Sequence, residues 1–217
     1  EQLAALGASC IETPVIRITP PADDYAALDA AIGALHSYHW LIFTSVNGVE
    51  HFFLRLRHAG KDTRALGYAK IAAIGSATAN ALLSFGIHAD LVPEEFRAEA
   101  VVAALAPILP PRARVLIPRA QEARDVLPES LRTHGATVDV TPAYETVPER
   151  AGGETLAARL MRGEIDVVTF TSSSTVKNLV QQLGNITPLQ QTKIACIGPV
   201  TAETARNYAL DPDIVAD

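Results

Sequence analysis

Tyr144 lies in an extended-looking segment, residues 141–148, that starts with Thr-Pro and ends with proline. A phenol with a pKa of about 10 is a poor base at neutral pH but can donate a proton to a leaving hydroxide. An earlier segment, residues 13–20, has the same proline spacing and carries Ile16 at the matching position. Tyr144 is therefore a candidate catalytic acid. The alternative is a strand tyrosine that packs its ring.

Four loops rich in hydroxyl and small residues each precede a helical pattern. Such residues cap helices and leave free backbone N–H groups that attract carboxylate or phosphate. Each serine or threonine could alternatively be a helix cap alone, but four related loops favour a shared site for a polyanion. The candidate substrate-binding residues in them are Thr44, Ser45, Asn47, Ser76, Thr78, Thr171, Ser172, Ser173, Ser174 and Thr201.

Arg119 and Arg124 follow the apolar run RVLI and precede another helical pattern. A guanidinium binds a carboxylate through two parallel hydrogen bonds, so both arginines are candidate substrate-binding residues. The alternative is that they are surface arginines paired with Glu122 or Asp125.

The sequence gives no sign of a metal or cofactor site. The six histidines are scattered, and although His36 and His39 have helical spacing, no third ligand has a recognisable place. Dinucleotide, P-loop and serine-nucleophile motifs are also absent. We expect neither a metal nor a cofactor.

The elements that position these residues form an internal repeat. Three blocks recur in the same order at a separation of roughly 125 residues, the size of a small domain. They pair WLIFTSVNGVEHFFLRL with VVTFTSSSTVKNLVQQL, KIAAIGSATANAL with KIACIGPVTAETA, and LAALGASCIETP with LRTHGATVDVTP. Each block reads as strand, polar turn and amphipathic helix, which predicts a doubly wound α/β fold with parallel sheets.

The two proline-bounded segments are predicted to be interdomain linkers, residues 14–20 and 142–148, because proline at both ends keeps them extended. Domain 1 is then discontinuous, residues 1–13 and 149–217. Domain 2 is residues 21–141, with strands near 40–44, 70–74, 90–92, 114–117 and 136–140. Side by side, the linkers would form a two-stranded antiparallel ribbon. Alternatively, both segments are turns within a single sheet. Comparison of the two copies also predicts a strand upstream of Glu1 and a helix beyond Asp217.

Composition limits the partners. Among 217 residues, 48% are hydrophobic and the net charge is −6, which predicts a substantial core and argues against nucleic acid. No apolar run approaches the roughly 18 residues of a membrane span, and nothing indicates membrane adsorption. Cys10 and Cys196 are predicted to be buried free thiols, which indicates a reducing compartment such as the cytoplasm.

Taken in order, LIFTSVNGV, IAAIGSATA, the linker PAYETVP, TFTSSSTV and IGPVTA resemble the uroporphyrinogen-III synthase family over essentially the whole chain. The resemblance implies two flavodoxin-like domains joined by a two-stranded linker, with the active site between them. It implies an enzyme, a cofactor-independent lyase, that acts on linear hydroxymethylbilane. Water is lost, ring D is inverted through a spiro intermediate, and the macrocycle closes to uroporphyrinogen III. We expect a monomer in the cytoplasm.

The resemblance also implies roles for individual residues. Tyr144 matches the family's catalytic linker tyrosine, Thr201 matches its threonine after Gly-Pro, and Thr78 is the counterpart of Thr201 in the other domain. Ser45, Ser172 and Ser173 match positions that meet the propionate and acetate arms. Where the family often has a glycine-rich loop, this chain has residues 119–124, so amide contacts are less expected there.

Two other functions stay open from the sequence alone. One is a non-enzymatic two-domain protein that closes around a small anion. The other is a catalytically silent synthase-like module of a larger fusion. Formation of the III isomer from hydroxymethylbilane would separate the enzyme from both.

Overall fold

The structure is a computed structural model that describes residues 2–216, without the Gln2 side chain. The helices are α1 (Gln2–Ala5), α2 (Ala26–Gly33), α3 (Val46–His58), α4 (Ser76–Leu83), α5 (Ala98–Leu105), α6 (Val126–Thr133), α7 (Gly153–Met161), α8 (Ser173–Leu183) and α9 (Pro199–Asn207). The strands are β1 (Ile16–Thr19), β2 (Trp40–Phe43), β3 (Lys70–Ala73), β4 (Arg114–Ala120), β5 (Thr137–Pro148), β6 (Val167–Phe170), β7 (Lys193–Cys196) and β8 (Ile214–Val215). Short 3-10 helices cover Leu35–Ser37, Thr63–Leu66 and Thr187–Gln191.

The chain divides into two compact units. The larger runs from Ile18 to Thr146, and the smaller holds the residues up to Arg17 and those from Val147 onward. Both divisions fall inside the segments 14–20 and 142–148, which the sequence analysis assigns to linkers. The domain boundaries given there stay a prediction.

The larger unit contains a sheet with the strand order β1-β5-β4-β2-β3. The pairs β4–β5, β2–β4 and β2–β3 are parallel. Alternate strand residues face two different cores, as a parallel sheet covered on both faces requires. Leu41 and Phe43 pack with α2, α3 and α4, whereas Trp40 and Ile42 pack with α5 and α6.

The smaller unit contains a parallel sheet in the order β6-β7-β8. Its core includes Phe170 and Ile194 from the strands and Leu160, Val176 and Ala205 from the helices. Parallel sheets and α/β alternation are confirmed, because both units show them.

Three details differ from the sequence analysis. The strand expected at 136–140 continues to Pro148, and Pro142 and Tyr144 pair with β4 instead of standing free in a linker. The register shifts directly after the pairing of Pro142, which lacks the N–H that a regular ladder uses. The strand expected near 90–92 is reduced to one bridge, between Ala72 and Leu91. Cys10 is exposed, so its predicted burial is wrong, while Cys196 is buried as expected.

Candidate functional site

The larger unit has a cleft where two of its parallel strands end side by side. β2 and β4 are neighbours, yet the helix after β2 (α3) and the helix after β4 (α6) lie on opposite faces of the sheet. The chain therefore leaves the two strands in opposite directions, and a crevice forms at their carboxyl ends. Ligands of open α/β sheets bind at such places.

The cleft has a volume of about 270 Å³. It brings together five of the predicted site residues, although they come from three separate parts of the sequence. These residues are Thr44, Ser45, Arg119, Arg124 and Tyr144. Most of the other lining side chains are apolar, among them Ile74, Ile117 and the exposed Phe96. The exception is Arg97, which pairs with Glu95. Polar groups in an apolar crevice are typical of small-molecule sites.

Tyr144 is held by its hydroxyl. Its ring is 7% exposed, and its hydroxyl oxygen lies 3.0 Å from Oγ of Ser45. Ser45 is also the N-cap of α3, where its Oγ accepts the backbone N–H of Gly48 at 3.0 Å. Because the cap uses only an acceptor position of Ser45, the Ser45 proton is free to be donated to the Tyr144 oxygen. In that arrangement Ser45 does not use the Tyr144 proton, and Tyr144 lines the cleft.

The ring of Tyr144 is held by His51, one of the six scattered histidines, for which the sequence predicts no role. The imidazole of His51, on α3, stacks on Tyr144 with ring centroids 5.8 Å apart and an interplanar angle of 29°. Nδ1 of His51 lies 3.0 Å from the hydroxyl of Tyr25. Burial lowers the pKa of His51, so this ring is neutral at neutral pH.

Arg119 is engaged within the protein. Its side chain is 10% exposed, Nη1 donates to the carbonyl of Arg124 at 2.7 Å, and Nη2 pairs with Asp125. The structure thus shows the alternative reading, pairing with Asp125, in place of a free carboxylate clamp. Within residues 2–216, Nε of Arg119 has no hydrogen-bond partner. Arg124 is exposed, so its guanidinium is accessible.

Three further candidates lie on the helices of the larger unit. Asn47 is half-buried in the first turn of α3, and Ser76 is exposed at the first residue of α4. Thr78 is 4% exposed, which restricts access of a ligand to its hydroxyl. Phe96 covers the start of α4, since a Cβ added to Gly75 would lie 2.8 Å from the Phe96 ring.

In the smaller unit, the predicted loop residues cap α8. Ser172 forms a capping box with Thr175, each side chain accepting the other's backbone N–H at 3.2 Å. Oγ of Ser172 also lies 2.9 Å from Oγ of Ser174. The structure therefore gives Ser172 the role of helix cap, the alternative to substrate binding, while Ser174 only contacts the side chain of that cap.

The remaining candidates of the smaller unit lie around the starts of α8 and α9. Ser173 donates to the carbonyl of Val200 and accepts from Thr204, at 3.3 and 2.7 Å. Thr171 is exposed, whereas Thr201 is 5% exposed in the first turn of α9.

A metal-binding cluster and a membrane-spanning helix are both absent from residues 2–216. Among residues 2–216, no three His, Cys, Asp or Glu side chains are grouped so that they could hold a metal ion. None of the described helices is both long and apolar enough to cross a membrane.

Residues 1–217 match the protein family described as uroporphyrinogen-III synthase HemD. The chain belongs to the uroporphyrinogen-III synthase family. Its resemblance to that family in sequence is thereby confirmed.

Curated relatives carry names of the uroporphyrinogen-III synthase family. The chain is 35% identical to the uroporphyrinogen-III synthase of Synechococcus elongatus over 99% of its own length and 87% of the relative's. It is 34% identical to the porphyrin biosynthesis protein HemD of Ruminiclostridium josui over 97% of its length, but spans only 41% of that protein. A putative uroporphyrinogen-III synthase of Methanothermobacter thermautotrophicus is 38% identical over 78% of the chain and 69% of the relative.

Solved structures of uroporphyrinogen III synthases share the fold. A mutant enzyme from Thermus thermophilus gives a TM-score of 0.59 at 23% identity, covering 99% of this chain and 85% of the other. The Helicobacter pylori uroporphyrinogen-III synthetase gives 0.57 at 19% identity, covering 92% and 83%. At these identities the similarity shows the fold alone.

Proposed function

We propose that the protein is a cofactor-independent lyase that converts hydroxymethylbilane to uroporphyrinogen III with inversion of ring D and loss of water. The observation that carries this proposal is the Tyr144 hydroxyl, bonded to Ser45 in a cleft at the carboxyl ends of β2 and β4. Membership of the family supplies the reaction, and this geometry supplies a proton donor for its first step. We also propose that Tyr144 is the catalytic acid.

The proton balance of the reaction needs one group that gives a proton and later recovers it. The substrate hydroxyl leaves as water with the Tyr144 proton, while a pyrrole nitrogen supplies the electron pair that forms the azafulvene. Ring D attacks through its substituted carbon, and the spiro intermediate rearranges and closes the macrocycle. The final closure releases a proton from carbon, which restores the phenol. Water is the net product, and no external reactant is required.

The many carboxylates of the substrate call for hydrogen-bond donors, yet the chain is acidic overall, with a net charge of −6. Helix N-termini supply donors without lysines, because their first backbone N–H groups have no partner within the helix. In the larger unit, we propose that the starts of α3 and α4 and the exposed Arg124 contact the substrate. In the smaller unit, we propose the same role for the starts of α8 and α9, although Pro199 at the start of α9 has no N–H to donate.

The type of the domains and the linker between them are also proposals. The order of parallel strands in the larger unit, with helices on both faces, supports a flavodoxin-like domain. The position of β1 beside β5 supports a two-stranded linker, for Thr19 Oγ1 donates to Glu145 and the Glu149 N–H donates to Val15. We propose a monomer located in the cytoplasm.

An isomer assay tests the function. Purified protein is mixed with hydroxymethylbilane, the products are oxidised to porphyrins, and the I and III isomers are separated by chromatography. We expect the III isomer, because free hydroxymethylbilane closes without inversion to the I isomer. Tyr144→Phe is expected to lower turnover by about 10²-fold or more, the range of a positioned acid.

Family membership does not favour the small-anion-binding alternative. Formation of the I isomer alone would nevertheless reject the synthase function and support that alternative. Formation of the III isomer at the normal rate by Tyr144→Phe would reject the acid role while leaving the overall function in place.

A further inference from the structure

Three near-parallel rings are stacked in the larger unit, and Tyr144 is the last of them. Tyr25 and His51 have ring centroids 6.0 Å apart at 26°, and His51 and Tyr144 have centroids 5.8 Å apart at 29°. We propose that His51, supported by Tyr25, is a positioning residue that fixes the Tyr144 phenol in its orientation at the cleft. This inference rests on the proposed function of Tyr144.

The contacts of Tyr144 restrain it from two sides. Its hydroxyl is fixed by Ser45 at 3.0 Å, and the face of its ring is covered by the imidazole of His51. A tyrosine ring has two rotatable bonds, so one polar contact and one stacked face are enough to define its direction. Such restraint matters because a displacement of about 1 Å in a reacting group can cost about 10²-fold in rate.

His51 is itself restrained by Tyr25. The Tyr25 hydroxyl lies 3.0 Å from Nδ1 of His51, and in the tautomer with its proton on Nε2 the imidazole accepts that hydrogen bond. Tyr25 is in turn covered by Arg55, whose guanidinium carbon lies 4.7 Å from the ring centroid. Arg55 is anchored by Asp29, to which its Nε donates at 2.9 Å. Tyr144 is thus connected to Asp29 through His51, Tyr25 and Arg55.

The stack joins three different elements of the larger unit. Tyr25 precedes α2, His51 is in the second turn of α3, and Tyr144 is on β5. Tyr25 adopts a left-handed backbone conformation, with φ of 68°, which is uncommon for a residue other than glycine. The surrounding contacts must hold that conformation in place, as is observed around functional sites.

His51 is suited to this role by its charge as well as its shape. Burial lowers its pKa, so that it stacks on the phenol as a neutral ring. An aromatic ring without titratable atoms should therefore replace it, whereas a small side chain should not. This difference separates a positioning role from a direct proton transfer by His51.

The experiment compares His51→Ala, His51→Phe and, as a matched control, His58→Ala, which removes an exposed histidine from the same helix. We expect His51→Ala to lower kcat about tenfold with little change in KM, because the acid is present but misdirected. His51→Phe should restore most of the lost turnover, and His58→Ala should leave it unchanged. Tyr25→Phe keeps the ring but removes the hydroxyl, so an intermediate loss is expected.

A second measurement does not depend on activity. The chain has only five tyrosines, so its ring signals can be resolved by NMR with 13C-labelled tyrosine, and the signal lost in Tyr144→Phe assigns Tyr144. In His51→Ala the Tyr144 signals should lose the ring-current shift caused by the imidazole. In His51→Phe they should keep a comparable shift.

Unchanged Tyr144 signals in His51→Ala would overturn the inference, as would equal losses of kcat in His51→Ala and His51→Phe. If His51→Ala is too unstable to assay, Tyr25→Phe replaces it, and unchanged Tyr144 signals together with an unchanged kcat in Tyr25→Phe would overturn the inference. Full activity of Tyr144→Phe would instead remove the acid role, and the NMR shifts would still report whether His51 positions the phenol.

Discussion

The hydroxyl oxygen of Tyr144 lies 3.0 Å from Oγ of Ser45, the residue that caps α3. One serine thus joins the start of a helix to the candidate catalytic acid. Ser45→Ala should lower kcat about tenfold, since the acid keeps its proton but loses its orienting partner. It should also cost about 1 kcal/mol of stability through the lost cap. Turnover and thermal denaturation measure the two effects.

Ser45→Thr is the matched control, because threonine also caps helices and keeps a hydroxyl. It should retain both stability and most of the turnover. A loss of stability in Ser45→Ala without any loss of kcat would show that Ser45 is only a cap.

Gly48 lies against the end of β4. A Cβ at this position would be 3.0 Å from the carbonyl oxygen of Pro118 and 3.1 Å from Oγ of Ser45. Gly48→Ala should therefore push α3 away from the strand, at a cost of about 1–3 kcal/mol. The gain of about 0.5–1 kcal/mol from alanine in a helix offsets only part of this. We expect a lower melting temperature and, because Ser45 is displaced, a lower kcat.

Gly33→Ala serves as the control for Gly48→Ala. Gly33 is the last residue of α2, and a Cβ there meets nothing within 4 Å. This change should leave the melting temperature equal or slightly higher. Equal stability of the two alanine variants would contradict the close packing described at Gly48.

Arg119 and Arg124 should behave differently although they are close in sequence. Arg119 is buried and holds the carbonyl of Arg124 and the side chain of Asp125, so Arg119→Lys should lower the melting temperature. Arg124 is exposed, so Arg124→Ala should raise KM about tenfold or more, consistent with the roughly 1.5–3 kcal/mol of a charged hydrogen bond. Its kcat and melting temperature should stay near wild type. An unchanged KM in Arg124→Ala would remove it from the substrate-binding residues.

The sequence predicted the architecture well because the internal repeat shows the same order of elements twice. Runs such as WLIF and KIAA are buried on both faces, and this pattern identifies β2 and β3 almost to the residue. The end of β5 was harder to predict, because the proline-bounded segment 142–148 is predicted to be a linker, whereas the structure continues the strand by shifting its register. Sequence patterns describe neighbours along the chain, whereas the register shift depends on how β5 pairs with β4 across the sheet.

Among the residues that line the cleft, Ser45 and Tyr144 could be singled out from their local patterns, a helix start and an aromatic in a repeated segment. His51 could not, because its partners Tyr25 and Tyr144 lie far away in sequence and meet it only in the folded unit. Asp90 and Asp213, which have a structural role, could not be predicted either, because their partners lie 19 residues earlier in the sequence. Each accepts a strand N–H at 2.7 Å, from Ile71 and Ile194 respectively, at equivalent positions of the repeat.

Asp139 should make stability depend on pH. Its carboxylate accepts hydrogen bonds from the Tyr38 hydroxyl and from Nη2 of Arg114, both at 2.8 Å. Burial raises the pKa of Asp139, but these hydrogen bonds and the positive charges of Arg114 and Arg132 together hold the pKa below its ordinary value. A carboxyl with a lowered folded pKa contributes stability above its unfolded pKa. That contribution is lost as the pH falls through the folded value.

Asp139→Asn should therefore lower stability at neutral pH, by no more than about 1 kcal/mol because solvent screens the pair. The side chains of Arg114 and Asp139 are 39% and 38% exposed. Melting temperatures measured from pH 7 downward should show the gap between wild type and variant closing below about pH 4. Asp62→Asn is the control, since its pair with Arg64 is more exposed and should give a smaller gap throughout. A gap for Asp139→Asn that stays constant as the pH falls would show that the carboxylate charge does not contribute to stability.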